Sequence, residues 1–243
     1  MCGRFVLKAD LARILEGFGA VLREPQEFVP RYNIAPTQQV PVVVPAAEGA
    51  RELRWLRWGL VPSWSKDATH ASSLINARAE TAAEKPSFRG PFRNRRCVVP
   101  ANGFYEWKKS PRGKGKTPHF IEVEGQPLFA MAGLWDSWEV RDDTGKKTGE
   151  LLDTFTILTV DATEDVQAIH DRMPRILSCP ELDSWLDPHS DPAKLAGWIA
   201  QTPGRLHLHH RPVTREVNSP RNDSPALLET PPETDLFGAP VED

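Results

Sequence analysis

V-P-V-V-V at residues 40–44 and L-R-W-L-R-W at 53–58 are two short apolar runs separated by a stretch holding Pro45 and Gly49. β-Branched and aromatic residues in runs of five or six, bounded by turn formers, are the composition of paired strands rather than of a helix. Outward from them, residues 97–99, 120–123, 128–131 and 155–160 have the same character. Twenty-three prolines suit many turns and sheet edges better than long helices. Helices are expected only over 9–18, 77–84, 163–170, 181–186 and 192–200, with Asp10 and Thr163 as N-caps and Pro192 in a first turn. Strands that do not alternate regularly with helices argue against a doubly wound sheet. The expectation is an α+β fold: a mainly antiparallel or mixed β core, barrel-like, with peripheral helices. No repeat or long linker divides the chain, so one domain is expected over 2–228. Residues 229–243 carry five acids and no base and are expected to form a disordered tail.

The chain has 243 residues, 40% of them hydrophobic and 26% charged, which excludes wholesale disorder and fibrous folds. No run reaches the length of a membrane span, and no basic segment leads into an apolar one at the N-terminus. Three cysteines, an odd number, argue against a disulfide framework. A reduced, cytoplasmic protein is expected, and the Ala-, Arg- and Pro-rich composition points to a bacterial source. The net charge of −3 conceals an asymmetry: residues 1–116 hold twenty basic and ten acidic side chains, and residues 117–243 hold ten and twenty-three. Residues 85–116 alone contain ten bases against one acid, Glu106. A local surplus of that kind attracts a polyanion by displacing its counterions. Lys108–Lys116 is equally well read as a solvated hairpin tip. The Arg89–Arg96 run leads into an apolar segment and is harder to read that way.

Cys2 follows Met1 and precedes Gly3, a small-residue context in which initiator Met is removed. The mature terminus would then carry an α-amine and a thiol on adjacent carbons, with reference pKa values of roughly 7.7–8.0 and about 8.5. Such a pair supports two chemistries. The thiol can attack an amide carbonyl, assisted by its own amine. Alternatively the amine forms a Schiff base with an aldehyde and the thiol closes a thiazolidine ring, favoured by intramolecular effective molarity. Asn33 in R-Y-N-I-A-P-T, Asn76 in N-A-R-A-E-T, Glu106 in N-G-F-Y-E-W and His170 in I-H-D-R-M-P supply the amides, carboxylate and imidazole that a covalent site uses for orientation and proton transfer. Spacing alone leaves their convergence open. Asn76 and Glu106 could cap turns, Arg78 and Glu80 could form a surface pair, and His170 could end a helix.

M-C-G-R-F at 1–5, R-Y-N-I-A-P at 31–36, W-G-L-V-P-S-W at 58–64, N-A-R-A-E-T at 76–81, R-C-V-V-P-A-N-G-F-Y-E-W at 96–107, A-G-L-W at 132–135 and I-H-D-R-M-P at 169–174 occur in an order that resembles the SOS-response-associated peptidase family. These are proteins that bind single-stranded DNA and crosslink to abasic sites. The resemblance implies that Cys2 forms the thiazolidine, that Asn76 holds the sugar and the terminus, that Glu106 shuttles protons, and that His170 protonates the opening sugar ring. It implies phosphate contacts at Arg4 and Arg78 and base packing by Trp64 and Pro36. The same groups could account for autoproteolytic removal of Met1. The implied partner is single-stranded DNA containing abasic sites, with neither a membrane nor an obligate protein partner, and a monomer is expected.

Neither the residues nor the resemblance implies a cofactor. His207, His209 and His210 lack a second ligand pair at metal spacing and give no metal site. Trp55, Trp58, Trp107 and Trp135 read as core, as does Cys97, and Cys179 sits in a loop before Pro180. The competing readings are a glutamine amidotransferase-like amidohydrolase, whose nucleophile domains also begin M-C-G, a non-catalytic single-stranded DNA-binding module, and a stand-alone peptidase.

Overall fold

The computed structural model describes residues 2–110, 115–204 and 206–231. Their strands are β1 (Phe5–Leu7), β2 (Ala20–Val21), β3 (Arg31–Ile34), β4 (Gln39–Pro45), β5 (Arg51–Trp58), β6 (Asn76–Arg78), β7 (Arg96–Ala101), β8 (Gly103–Lys109), β9 (Lys116–Val123), β10 (Phe129–Arg141), β11 (Lys147–Asp161), β12 (Arg172–Pro174), β13 (Ile176–Leu177) and β14 (Leu208–Pro212). The helices are short: α1 (Leu11–Phe18), α2 (Ala79–Ala82), α3 (Arg89–Asn94), α4 (Glu164–Gln167), α5 (Cys179–Leu186) and α6 (Pro192–Ile199).

The two runs that open the sequence pair with each other, Val40 opposite Leu56 and Val44 opposite Glu52. From β5 the antiparallel order continues through β4, β7 and β10 to β11, and β11 then pairs in parallel with β5 at Thr154–Arg57 and Phe155–Trp58. That last pairing closes a five-stranded mixed barrel, as the α+β, barrel-like reading required. Pro41 is tolerated inside β4 because β7 meets that strand only at Val43, so its missing N–H breaks no ladder on that side. A second sheet, in the order β14-β9-β8-β1-β3, lies beside the barrel. Gly103, at the start of β8, lies under the Phe120 ring, where a Cβ would come within 2.3 Å of it. Gly59, following β5, adopts φ +117° against the Ala71 carbonyl, a conformation that no other residue takes readily.

Four expectations require correction. Residues 77–84 are not one helix: Asn76–Arg78 is a strand paired in parallel with β11, and α2 covers only the turn after it. Parallel pairing on a buried edge outweighs the helix propensity of an Ala-rich hexapeptide. The basic run contains a helix, α3, which its proline and glycine disguised. Thr163 precedes α4 without a side-chain cap bond, whereas Asp10 caps α1 by accepting from Arg13 N–H at 2.8 Å. Helix α5 begins at Cys179 rather than at residue 181, capped by a Ser178–Glu181 box. The 108–116 hairpin is formed by β8 and β9 down to the Lys109–Lys116 pair, and its tip at 111–114 lies outside the described residues. So does most of the expected acidic tail, residues 232–243.

Trp58 is fully buried, stacked 6.3 Å from Phe155, while Trp55, Trp107 and Trp135 pack half-buried on the core. The C-terminal segment is fastened to the second sheet by Asn33, which is completely buried. Its Nδ2 donates to the carbonyls of Val217, Ser219 and Asn222 at 3.2, 2.9 and 2.7 Å, and its Oδ1 accepts from Arg4. Asp223 returns the connection by accepting from Arg31 and from the backbone of Tyr32 and Asn33. Removing a side chain that satisfies several buried groups leaves each with its desolvation penalty. Asn33→Ala is therefore expected to lower stability by about 3 kcal/mol in chemical denaturation and to raise hydrogen exchange selectively over residues 215–228.

Candidate active site

The site is assembled from the N-terminal segment, the start of β6, the middle of β8 and the residues between α4 and β12. Tyr105 N–H on β8 donates to the Arg4 carbonyl at 2.9 Å, which sets the next residue, Glu106, beside the segment that carries Cys2. Cys2 is fully buried. Its carbonyl accepts from Asn76 Nδ2 at 2.7 Å, and its thiol points at the Arg4 carbonyl 3.7 Å away. Asn76 opens β6, held by its register opposite Ile157 of β11. With Nδ2 committed to Cys2, its Oδ1 is buried and without a partner among the described residues, an acceptor aimed at no protein group.

Burial governs the acid–base character of the site. Loss of hydration pushes the Cys2 thiol up to about 12, and the negative charge of Glu106 adds to the effect. Glu106 is 3% exposed; burial pushes its carboxyl up, opposed by nearby positive charge that includes His170. His170 follows α4, and its Nδ1 accepts from the Arg172 backbone N–H at 3.0 Å. Nδ1 also lies 2.9 Å from Asp171 Oδ1. The backbone N–H has a fixed direction and Asp171 is largely solvated, so we assign Nδ1 as the acceptor in the neutral ring, which leaves the proton on Nε2. A protonated ring would turn instead to Asp171. Among the described residues, a hydrogen bond joins Asn76 to Cys2, and charge interactions join Glu106 to Cys2 and to His170.

A clamp that sequence reading missed ties the two halves together. Arg172 makes a bidentate pair with Glu80, Nη1–Oε1 at 2.6 Å and Nη2–Oε2 at 2.9 Å, and Nη1 also meets Asp161 at 2.6 Å. Its Nη2 donates to Thr159 as well. Glu80 is therefore not the surface partner of Arg78. It joins the turn after Asn76 to the residue that orients His170. Nothing in the spacing announces a pair 92 residues apart.

The expected DNA contacts divide. Trp64 is 64% exposed, and Arg78 is exposed with no ion pair among the described residues. Pro36 is half-buried in a turn closed by Gln38 N–H to the Ala35 carbonyl, in which Thr37 takes φ +75°. A β-branched residue in that region is strained, and the Thr37 N–H to Trp58 carbonyl bond holds it there. Arg4 is largely turned inward: its Nη1 donates to Asn33 Oδ1 at 2.8 Å and to the Val217 carbonyl at 2.7 Å, and its guanidinium lies over Trp107. His209 is exposed beside Glu122, and His210 packs edge-on against His119, whose pKa burial lowers to about 4.

Residues 1–220 match the model of a family described as SOS response associated peptidase (SRAP). The chain belongs to this family. It is 40% identical to the abasic site processing protein YoqW of Bacillus subtilis (strain 168), across 95% of this chain and 100% of that one. It is 36% identical to the abasic site processing protein HMCES of Gallus gallus, across 94% of this chain and 77% of that one. A crystal structure of a Bacteroides thetaiotaomicron protein superposes with a TM-score of 0.82 at 28% identity, covering 95% of this chain and 100% of that one. The four residues gathered around the SRAP N-terminus here all lie within the family match.

Two outcomes follow from the burial of this SRAP site. In the chain that retains Met1, iodoacetamide at pH 8 should label the exposed Cys179 and spare Cys2 and Cys97, both buried and both raised in pKa; peptide mapping by mass spectrometry reads this directly. Glu106 holds its proton more tightly folded than unfolded, so its ionisation weakens the fold as pH rises through the raised value. Glu106→Gln removes that cost. The variant should be more stable than the parent at pH 8 and indistinguishable from it at pH 4, measured as paired denaturation curves.

Proposed function

We propose that this protein captures abasic sites in single-stranded DNA through the mature N-terminal Cys2 and so shields the lesion during repair. The observation that carries the reading is the Asn76 hydrogen bond to the Cys2 carbonyl, with the Glu106 charge acting on the Cys2 thiol and His170 acting on Glu106. The abasic site processing proteins of Bacillus subtilis and Gallus gallus, similar over most of this chain, support it.

In this mechanism hydrolysis of the Met1–Cys2 peptide bond frees the α-amine. The abasic sugar opens to its C1′ aldehyde as His170, in its imidazolium form, gives a proton to the ring oxygen while the anomeric hydroxyl gives its proton to the Glu106 carboxylate, which leaves the ring neutral and Glu106 protonated. The amine adds to C1′, and the carbinolamine loses its hydroxyl as water with a proton from Glu106, giving an iminium. Cys2 Sγ then adds to C1′ while its proton passes to the Glu106 carboxylate, and the iminium nitrogen becomes the neutral ring amine. Aldehyde and aminothiol thus give thiazolidine plus one water. A buried thiol that holds its proton is a poor free nucleophile, so the order is amine first, thiol second, with the base at hand. A carboxyl whose proton affinity burial raises suits both the donation and the acceptance. Asn76 Oδ1, buried and otherwise unpaired, accepts from a sugar hydroxyl or from the terminal amine.

Around this centre Arg78 takes a phosphate and Trp64 stacks on a flanking base, with Pro36 packing beside the lesion; base–aromatic stacking contributes about 1–3 kcal/mol per base. Arg4 Nε, buried without a partner among the described residues, is the donor that a phosphate near the lesion would satisfy.

Purified mature protein mixed with an abasic single-stranded oligonucleotide should give a species stable to denaturing gels, with an intact mass equal to protein plus DNA less one water. Cys2→Ala should bind the same oligonucleotide without forming it, and Glu106→Gln should form it about 10²–10⁴-fold more slowly. A mature parent that yields no adduct would sink the covalent reading and leave a DNA-binding module.

A further inference from the structure

The Arg89–Arg96 run, which the residues around Cys2 do not absorb, separates into two pairs. Arg96 is 3% exposed and donates to the carbonyls of Phe92, Arg93, Trp185 and Asp187; it holds α3 and α5 to β7. Arg95 pairs with Asp136 and lies over the Trp135 ring, 5.4 Å from its centroid. Arg89 and Arg93, one turn apart on α3, are exposed and have no ion pair among the described residues. They line a groove of about 510 Å³ whose other wall is Ser63 and Trp64 and whose floor includes Asp136.

The construction of this groove favours an anionic, base-bearing ligand. Asp136 is the acid within it, and that carboxylate is fully engaged: Oδ1 takes Arg95 and the Ser137 N–H, and Oδ2 accepts from Ser63 N–H at 2.8 Å. The same bond anchors the loop that presents Trp64, so a buried, neutralised acid positions an exposed indole opposite two unpaired guanidinium groups. A charged wall facing an aromatic one is the pairing that tracks a single strand, phosphates on one side and bases on the other. An acidic peptide would use the arginines but leave the indole without a stacking partner.

We propose that the groove between Trp64 and α3 is a further strand-binding station, in which Arg89 and Arg93 hold two phosphates of the single strand running on from the base stacked on Trp64. This rests on the DNA-capture reading above and lengthens its footprint at positions where no family motif places a contact.

The test is the salt dependence of equilibrium binding to an undamaged single-stranded oligonucleotide, read by fluorescence anisotropy between 50 and 200 mM salt, for folded protein of unchanged melting temperature. Each phosphate neutralised on a single strand contributes about 0.7 to the slope of log K against log salt, so Arg89→Gln/Arg93→Gln should flatten the parent slope by about 1.4. Trp64→Ala should lower affinity about tenfold with the slope retained, because stacking releases no counterions. Arg23→Gln/Lys146→Gln, which removes two positive charges away from the groove, should keep the parent slope. A groove variant with the parent slope, or equal flattening by both pairs, would overturn the station while leaving capture at Cys2 intact. A parent that binds no single strand would overturn the DNA reading and the station with it.

Discussion

Closure of the barrel by β11 is the constraint on which the rest of the molecule depends. Residues 154–155 of this strand pair with β5 and complete the ring, and residues 157–159 then accept β6 on the same edge. Beyond the end of β10 the opposite edge is taken over by β12, so that Thr159 lies between Arg78 and Pro174. One strand therefore delivers Asn76 and Arg78 on one side and the chain leaving His170 on the other. The Arg172–Glu80 pair spans that strand and fixes the separation of the two sides. Parallel pairing needs a long connection, and the chain running from β6 through β7–β10 to β11 provides it. The segment between β5 and β6 carries Trp64 and leaves its indole exposed.

The chemistry is set by how little water reaches it. Cys2 and Glu106 are withdrawn from solvent together; burial raises the proton affinity of both, and the charge of Glu106 raises that of Cys2 further. Low hydration keeps the Cys2 thiol protonated and makes the Glu106 carboxyl hold its proton more tightly than it would in water. The cost is a buried ionisable pair that weakens the fold, and it is borne by a core in which Phe5, Trp58 and Phe155 pack directly beneath the N-terminal strand. Polar networks at the edge of that core, Asn33 with the C-terminal segment above all, fasten the second sheet around the site.

Much of this was legible from residues alone. Runs rich in valine and tryptophan gave their strands because β-branched and aromatic side chains suit a half-buried pleat, and the turn formers between them marked the ends. The candidate residues were legible through the order of their motifs. Their convergence was not, because Asn76 and Cys2 are joined by a register across β11 that no local signal encodes. The N-A-R-A-E-T segment misled for the same reason: its alanines favour helix, and its first half is held extended by a neighbouring strand distant in sequence.

The sequence by itself determined much of the strand content and the family to which the chain belongs, because composition, turn chemistry and motif order are local properties. Only the tertiary structure decided which charges are spent and which are free. Glu80 proved to serve Arg172, Arg96 serves backbone carbonyls, Arg95 serves Asp136, and Arg89 and Arg93 face solvent across from Trp64. A run of like charges reads the same on the page whatever its partners, since the partners come from strands and loops that only folding brings within a few ångströms.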